Sequence, residues 1–170
     1  MKEDERTGGH VYLVGMPGSG KSSVGRALAE LLEVPFVDLD ERIVSAAGSS
    51  IEGIFREHGE AGFRELEAEA LARVAAEPRS VVSCGGGLPL RDENRDVLQS
   101  TGTVVALTVP LGLLRARVLV GRPRPLITDP VDLDRIYLER AAVYREVAHH
   151  RVDGRGDPGE VAHRIVEALG

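Results

Sequence analysis

The block Gly15-Met16-Pro17-Gly18-Ser19-Gly20-Lys21-Ser22 combines the glycine spacing, the lysine and the hydroxyl that a phosphate-binding P-loop requires. Glycines there let the backbone curl so that successive N–H groups face phosphate oxygens, and a helix beginning at the same point adds the positive end of its dipole. Gly18, Ser19, Gly20, Lys21, Ser22 and Ser23 are therefore candidates to hold a nucleotide. Lys21 would reach the β- and γ-phosphates, and the Ser22 hydroxyl would ligate Mg²⁺.

Other residues are of types that could act on what receives the phosphate. Asp38 and Asp40 close an apolar run, and strand alternation would put both carboxylates on one side, near the γ-phosphate region. Asp40 could equally cap the helix that follows. Arg64 and Glu67 stand three apart in a helical pattern. They make either a preset fork for a carboxylate or a plain exposed ion pair. Gly85-Gly86-Gly87 offers bare backbone against which a small ligand could lie, or simply a turn. Arg122-Pro123-Arg124-Pro125-Leu126 has the stiffness and positive charge of a lid over transferring phosphate, though a solvent loop has the same composition. Arg117, about two helical turns earlier, would lie over adenine or on open helix surface, and Arg140, with Tyr144 four residues on, would face the acceptor.

The elements that must position these residues alternate. Strand patterns cover 10–14, 35–39, 80–83, 103–107 and, weakly, 149–152. Helical patterns cover 22–32, 40–47, 51–58, 62–76, 92–99, 110–120, 131–148 and 158–169. Strand followed by helix, repeated, implies a parallel sheet with helices on both faces and function at the strands' carboxyl ends. The P-loop, Asp38, Asp40, the triple glycine and the segment after Leu107 all fall at those ends.

At 170 residues with 42% hydrophobic content the chain suits one domain, expected over 10–170 after a polar, disordered leader at 1–9. A net charge of −6 leaves no broad basic face, which disfavours a DNA or RNA partner and makes the arginines local tools. One cysteine, Cys84, forms no internal disulfide, and neither a signal peptide nor a membrane-spanning run is visible, which fits the cytoplasm. Cys84 reads as a small buried hydrophobe, and His149-His150 as a strand edge rather than a metal site.

Taken in order, the P-loop, Asp38-x-Asp40, Gly62-Phe63-Arg64-x-x-Glu67, Gly85-Gly86-Gly87, Arg124-Pro125-Leu126 and Arg140-x-x-x-Tyr144 resemble the shikimate kinase family, within the nucleoside-monophosphate-kinase-like P-loop proteins. The resemblance runs from His10 to the C-terminus. It implies an α/β three-layer sandwich with a five-stranded parallel sheet of order 2-3-1-4-5, a substrate-binding helical insertion at about 39–76 and a lid at about 120–131. It also implies transfer of the ATP γ-phosphoryl to the 3-hydroxyl of shikimate, a step of aromatic amino acid biosynthesis, with one Mg²⁺ and by a monomer.

By that resemblance Asp40 would hold the acceptor hydroxyl, Arg64 and Arg140 would grip a carboxylate, and Gly86, flanked by Gly85 and Gly87, would supply a backbone contact. Lys21 and Arg124 would neutralise phosphate charge, with Ser22 on the metal and Asp38 reaching it through water. The family places a further arginine beside adenine. Here the loop 153–157 looks shortened, and Arg155 is the candidate. Ser23 stands where threonine is usual after the P-loop serine. A gluconate kinase would share the P-loop and an acid after the second strand but would not need the Arg64, triple-glycine and Arg140 set. A nucleotide-binding switch is the other alternative, and the sequence has no guanine-reading Asn-Lys-x-Asp segment.

Overall fold

The computed structural model describes residues 8–120 and 124–170, so the candidate leader up to Thr7 and the candidate lid residues Gly121, Arg122 and Pro123 lie outside the described residues. Five strands pair in parallel in the order β2-β3-β1-β4-β5: β1 (His10–Val14), β2 (Phe36–Asp38), β3 (Val81–Ser83), β4 (Gly102–Thr108) and β5 (His150–Asp153). The expected strand order is the one found. The helices are α1 (Lys21–Leu32), α2 (Leu39–Ala47), α3 (Ile51–Ala75), α4 (Asp92–Thr101), α5 (Leu111–Val120), α6 (Pro130–Val147) and α7 (Pro158–Leu169), with a 3-10 turn at Leu88–Leu90.

Alternation along the strands divides the core into two layers. Tyr12, Val14, Val37, Val82, Val104 and Ala106 face one cluster, which the side chains of α2, α3, α4, α5 and α6 complete. Val11, Leu13, Val81, Val105, Leu107 and Val152 face the other, against α1 and α7. Central strands covered on both faces read as continuous apolar runs, which is why β1 and β4 were plain in the sequence. Fully buried side chains such as Leu13, Leu71 and Ile165 each contribute about 1.5–3 kcal/mol relative to exposure.

One local expectation changes. The second strand stops at Asp38, because its carboxylate turns to cap α2, accepting from the N–H groups of Asp40 (2.9 Å) and Glu41 (3.3 Å). Asp38 is therefore the helix cap. Asp40 occupies the first turn of α2 instead of sharing a strand face with Asp38. The separate helical patterns expected at 51–58 and 62–76 are found as two helical stretches of α3 that meet at a break at Gly59, whose φ of 68° and ψ of −177° are not helical. The left-handed φ is open to glycine at little cost. The Phe55 and Phe63 rings pack across the break at 4.8 Å between centroids.

Candidate active site

The P-loop joins the end of β1 to α1, and Gly15, Gly18 and Gly20 all take positive φ (151°, 83° and 92°). A side chain there would be strained, which accounts for three of the motif's glycines. Lys21 folds over the loop: its ammonium donates to the carbonyls of Gly15 (2.8 Å) and Met16 (3.0 Å). Burial, with neighbouring Arg124 adding to it, pushes the Lys21 ammonium down to about 8. A cation desolvated in this way gains most from an anionic ligand.

Ser22, in the first turn of α1, donates its hydroxyl to Asp38 Oδ2 at 2.8 Å and lies 3.4 Å from the Ser83 hydroxyl. Strand register produces this grouping, since Asp38 and Leu13 are both paired with Ser83. Ser83 carries no sequence signal of its own beyond its place at the carboxyl end of a strand next to β1.

Gly18, Gly20, Lys21, Ser22, Ser23, Asp38, Asp40, Gly85, Gly86, Arg117 and Arg124 line one cavity of ≈ 550 Å³. Arg117 donates to the Gly18 carbonyl at 3.1 Å, so it braces the P-loop as it lines the cavity. Ser19 does not line it: the residue is fully buried, its N–H is bonded to the Met16 carbonyl, and its side chain packs beneath Gly15. Arg155 is not brought to the cavity either. It folds back onto Asp153, with Nη2 2.9 Å from Oδ2 and Nε about equally close to both oxygens, and is well exposed. Only its neighbours Gly154, Gly156 and Pro158 line the wall there.

A second cavity of ≈ 290 Å³ adjoins the first and is lined by Asp40, Arg64, Glu67, Gly85, Gly86, Gly87, Arg124 and Arg140. The residues common to both are Pro17, Asp40, Gly85, Gly86 and Arg124. Val44, Phe55, Phe63, Leu126, Ile127 and Ile136 give the second cavity one apolar wall. That wall was missed in the sequence because its members read equally well as core.

The triple glycine has a concrete steric reason. None of the three takes a positive φ. A Cβ on Gly85 would come 2.5 Å from Glu67 Oε2, one on Gly86 would come 3.1 Å from Arg140 Nη1, and one on Gly87 would overlap the Arg64 guanidinium. The bare backbone is thus what lets both arginines and the glutamate lie flat against it. The two guanidinium groups converge on adjacent residues of the turn.

Arg64 pairs with Glu67 at 2.9 Å, and Glu67 is buried to 1% exposure. Burial pushes its carboxyl up, and Arg64 pulls the other way. This pair is not a surface ornament of α3. Arg140 is itself only 5% exposed and its Nε has no hydrogen-bond partner. A buried cation in that condition calls for an anion. Cys84, behind the turn, is buried and its thiol is pushed far up by desolvation, so it is inert as a nucleophile.

A family model described as shikimate kinase matches residues 17–170. This chain belongs to the shikimate kinase family. A shikimate kinase from Aromatoleum aromaticum is 41% identical over 163 residues, covering 94% of this chain and 93% of that protein. A shikimate kinase from Acinetobacter baumannii, solved in complex with shikimate, superposes with a TM-score of 0.92 at 34% identity, covering 98% and 96% of the two chains. A gluconokinase from Sinorhizobium meliloti 1021 reaches a TM-score of 0.63 at 24% identity and so shares the fold alone. Family membership makes the chain an ATP-dependent kinase and displaces the gluconate kinase and switch alternatives. No helix of the described residues is long and apolar enough to cross a membrane.

Proposed function

We propose that this chain transfers the γ-phosphoryl of ATP to the 3-hydroxyl of shikimate, giving shikimate 3-phosphate and ADP. The observation that carries the reading is the shared edge of the two cavities: Asp40 and Arg124 line both, between the P-loop lysine and the paired arginines. An acceptor seated with its carboxylate at Arg64 and Arg140 and its carbon skeleton on Phe55, Phe63 and Ile136 would present a hydroxyl at that edge. A flexible, fully hydroxylated acid such as gluconate has no apolar face to offer the same wall.

In the transfer the acceptor oxygen bonds to the γ-phosphorus as the bond to the bridging oxygen of ADP breaks, and the hydroxyl proton passes to the Asp40 carboxylate. The transition state is loose, so placement by Asp40 matters more than its strength as a base. Charge on the phosphate oxygens is offset by Lys21 and Arg124. The segment at about 120–131 acts as the lid, with Arg124 and Ile127 forming an antiparallel bridge within it. Its closure limits access of water as a competing acceptor.

The residues present also fit Mg²⁺. Among the described residues no group of three or more His, Cys, Asp or Glu side chains could cage a metal. An oxygen pair suits an ion completed by phosphate and water, and the Ser22 hydroxyl with Asp38 at 2.8 Å provides one inside the phosphate cavity. When bound there, Mg²⁺ would supply charge neutralisation for the transferring phosphate.

The test is a coupled assay of ADP release from MgATP with shikimate, with gluconate and with neither. Release that depends on shikimate supports the proposal. Equal release with all three, or preference for gluconate, refutes it.

A further inference from the structure

Tyr144 lies one turn beyond Arg140 on α6, buried to 6% exposure, and its hydroxyl donates to the Gly86 carbonyl at 2.6 Å. Burial pushes the phenol up to about 12, against the pull of Arg140, so the hydroxyl keeps its proton at any working pH. Among the described residues the backbone hydrogen bonds of this turn do not otherwise engage the Gly86 carbonyl. Leu88 N–H donates to Gly85 O and Leu90 N–H to Gly87 O, each at 3.1 Å, and both of these bonds run forward into the 3-10 turn, neither to the Gly86 carbonyl. Three consecutive glycines have more conformational freedom to lose than any other tripeptide. A single strong bond to the middle carbonyl is therefore well placed to fix the segment. Because a trans peptide sets its C=O and N–H in opposite senses, anchoring Gly86 O also sets the direction of the Gly87 N–H.

We infer that Tyr144 is a positioning residue of the acceptor cavity: its hydroxyl holds the Gly86–Gly87 peptide in the orientation that the acceptor and the two guanidinium groups meet. It touches neither substrate nor phosphate in this role and acts through the turn, and through Arg140, with which its hydroxyl also shares a hydrogen bond. The inference rests on the acceptor reading above and extends it to a residue outside the cavity wall.

The experiment compares Tyr144→Phe with Tyr12→Phe. Tyr12 is also a buried phenol with its own hydroxyl bond, 2.7 Å from Thr101 Oγ1, on a strand and outside the lining of both cavities. Each variant loses one oxygen and keeps its ring. For Tyr144→Phe the acceptor KM should rise by about tenfold, while the ATP KM and kcat stay within about twofold. Amide exchange at Gly85–Leu88 should quicken while β1 and β4 amides keep their protection. Tyr12→Phe should lose a comparable amount of thermal stability with an unchanged acceptor KM. The inference fails if the turn exchanges at the wild-type rate in Tyr144→Phe, or if both variants share one kinetic profile. Failure of the wild-type enzyme to use shikimate would sink the acceptor assignment instead, and the exchange result would still report on the turn.

Discussion

Arg64→Ala separates two views of the same ion pair, one on an exposed helix and one in a buried clamp. In the structure Arg64 is 15% exposed and Glu67 only 1%, at 2.9 Å, with Glu60 a more exposed second partner of Arg64 at 3.4 Å. Removing the guanidinium leaves a carboxylate in the interior with Oε2 already unpartnered. Breaking one side of a buried pair typically costs about 3–5 kcal/mol, against about 0–1 kcal/mol for an exposed one. Glu67 can limit the cost by taking up a proton, at about 1.4 kcal/mol per pKa unit, so a loss of about 2–4 kcal/mol near neutral pH is expected.

The sign of the pH dependence follows. Burial already raises the Glu67 carboxyl above 4.5, and deleting Arg64 removes two of the three influences that lower it, leaving only the attraction of Arg140. The folded variant then holds a proton that the unfolded chain has released. Its deficit against wild type should therefore shrink as pH falls through the raised folded value toward the ordinary carboxylate range. Urea unfolding at about pH 8 and about pH 5.5 measures this. In Arg64→Ala/Glu67→Gln at least about half of the lost stability should return, since no charge is stranded. A loss under about 1 kcal/mol that ignores both pH and the second substitution would refute the buried-clamp account. The same variant should raise the shikimate KM, because half of the carboxylate fork is gone.

Gly87→Ala should displace the Arg64 guanidinium, the flexible end of a long side chain, more than it disturbs the backbone. We expect the acceptor KM to rise by about tenfold or more with a stability loss smaller than that of Arg64→Ala, because the shifted guanidinium stays on the same side chain beside Glu67, read from steady-state kinetics and thermal melts. Lys21→Ala should abolish transfer while leaving a folded protein, checked by ADP release and circular dichroism. Turnover at the wild-type rate would remove Lys21 from the phosphate site. Arg155→Ala should leave the ATP KM within about twofold, because Arg155 is committed to Asp153. Asp132 accepts from the Thr128 N–H and hydroxyl, each at 2.8 Å, and these bonds hold its carboxyl down to about 2. That anchor at the start of α6 should persist above the ordinary carboxylate range and fail as pH falls toward 2, and Asp132→Asn should speed proteolysis within 124–129 at neutral pH.

What could be read from the residues depended on how far each constraint acts along the chain. The P-loop was legible because strand, glycines, lysine and helix are contiguous, and a local pattern fixes local geometry. The sheet order followed from the family likeness, and the alternation of buried runs with helical patterns gave only its parallel character. The Asp38 and Asp40 geometry was misread because side-chain capping ended the strand one residue early, and propensity does not report that competition. The Arg64 and Glu67 spacing gave the pair but not its burial, which depends on Gly85 and Gly87 arriving from β3, some twenty residues away. Arg155 lies outside the lining of the phosphate cavity for the converse reason. An aspartate two residues earlier captured the guanidinium that the family pattern assigned to adenine. The glycines join these cases. At Gly85, Gly86 and Gly87 the missing side chains also leave space for the protein's own charged groups, Glu67, Arg140 and Arg64. Exchanging one for alanine should therefore impair recognition of the acceptor before it impairs folding.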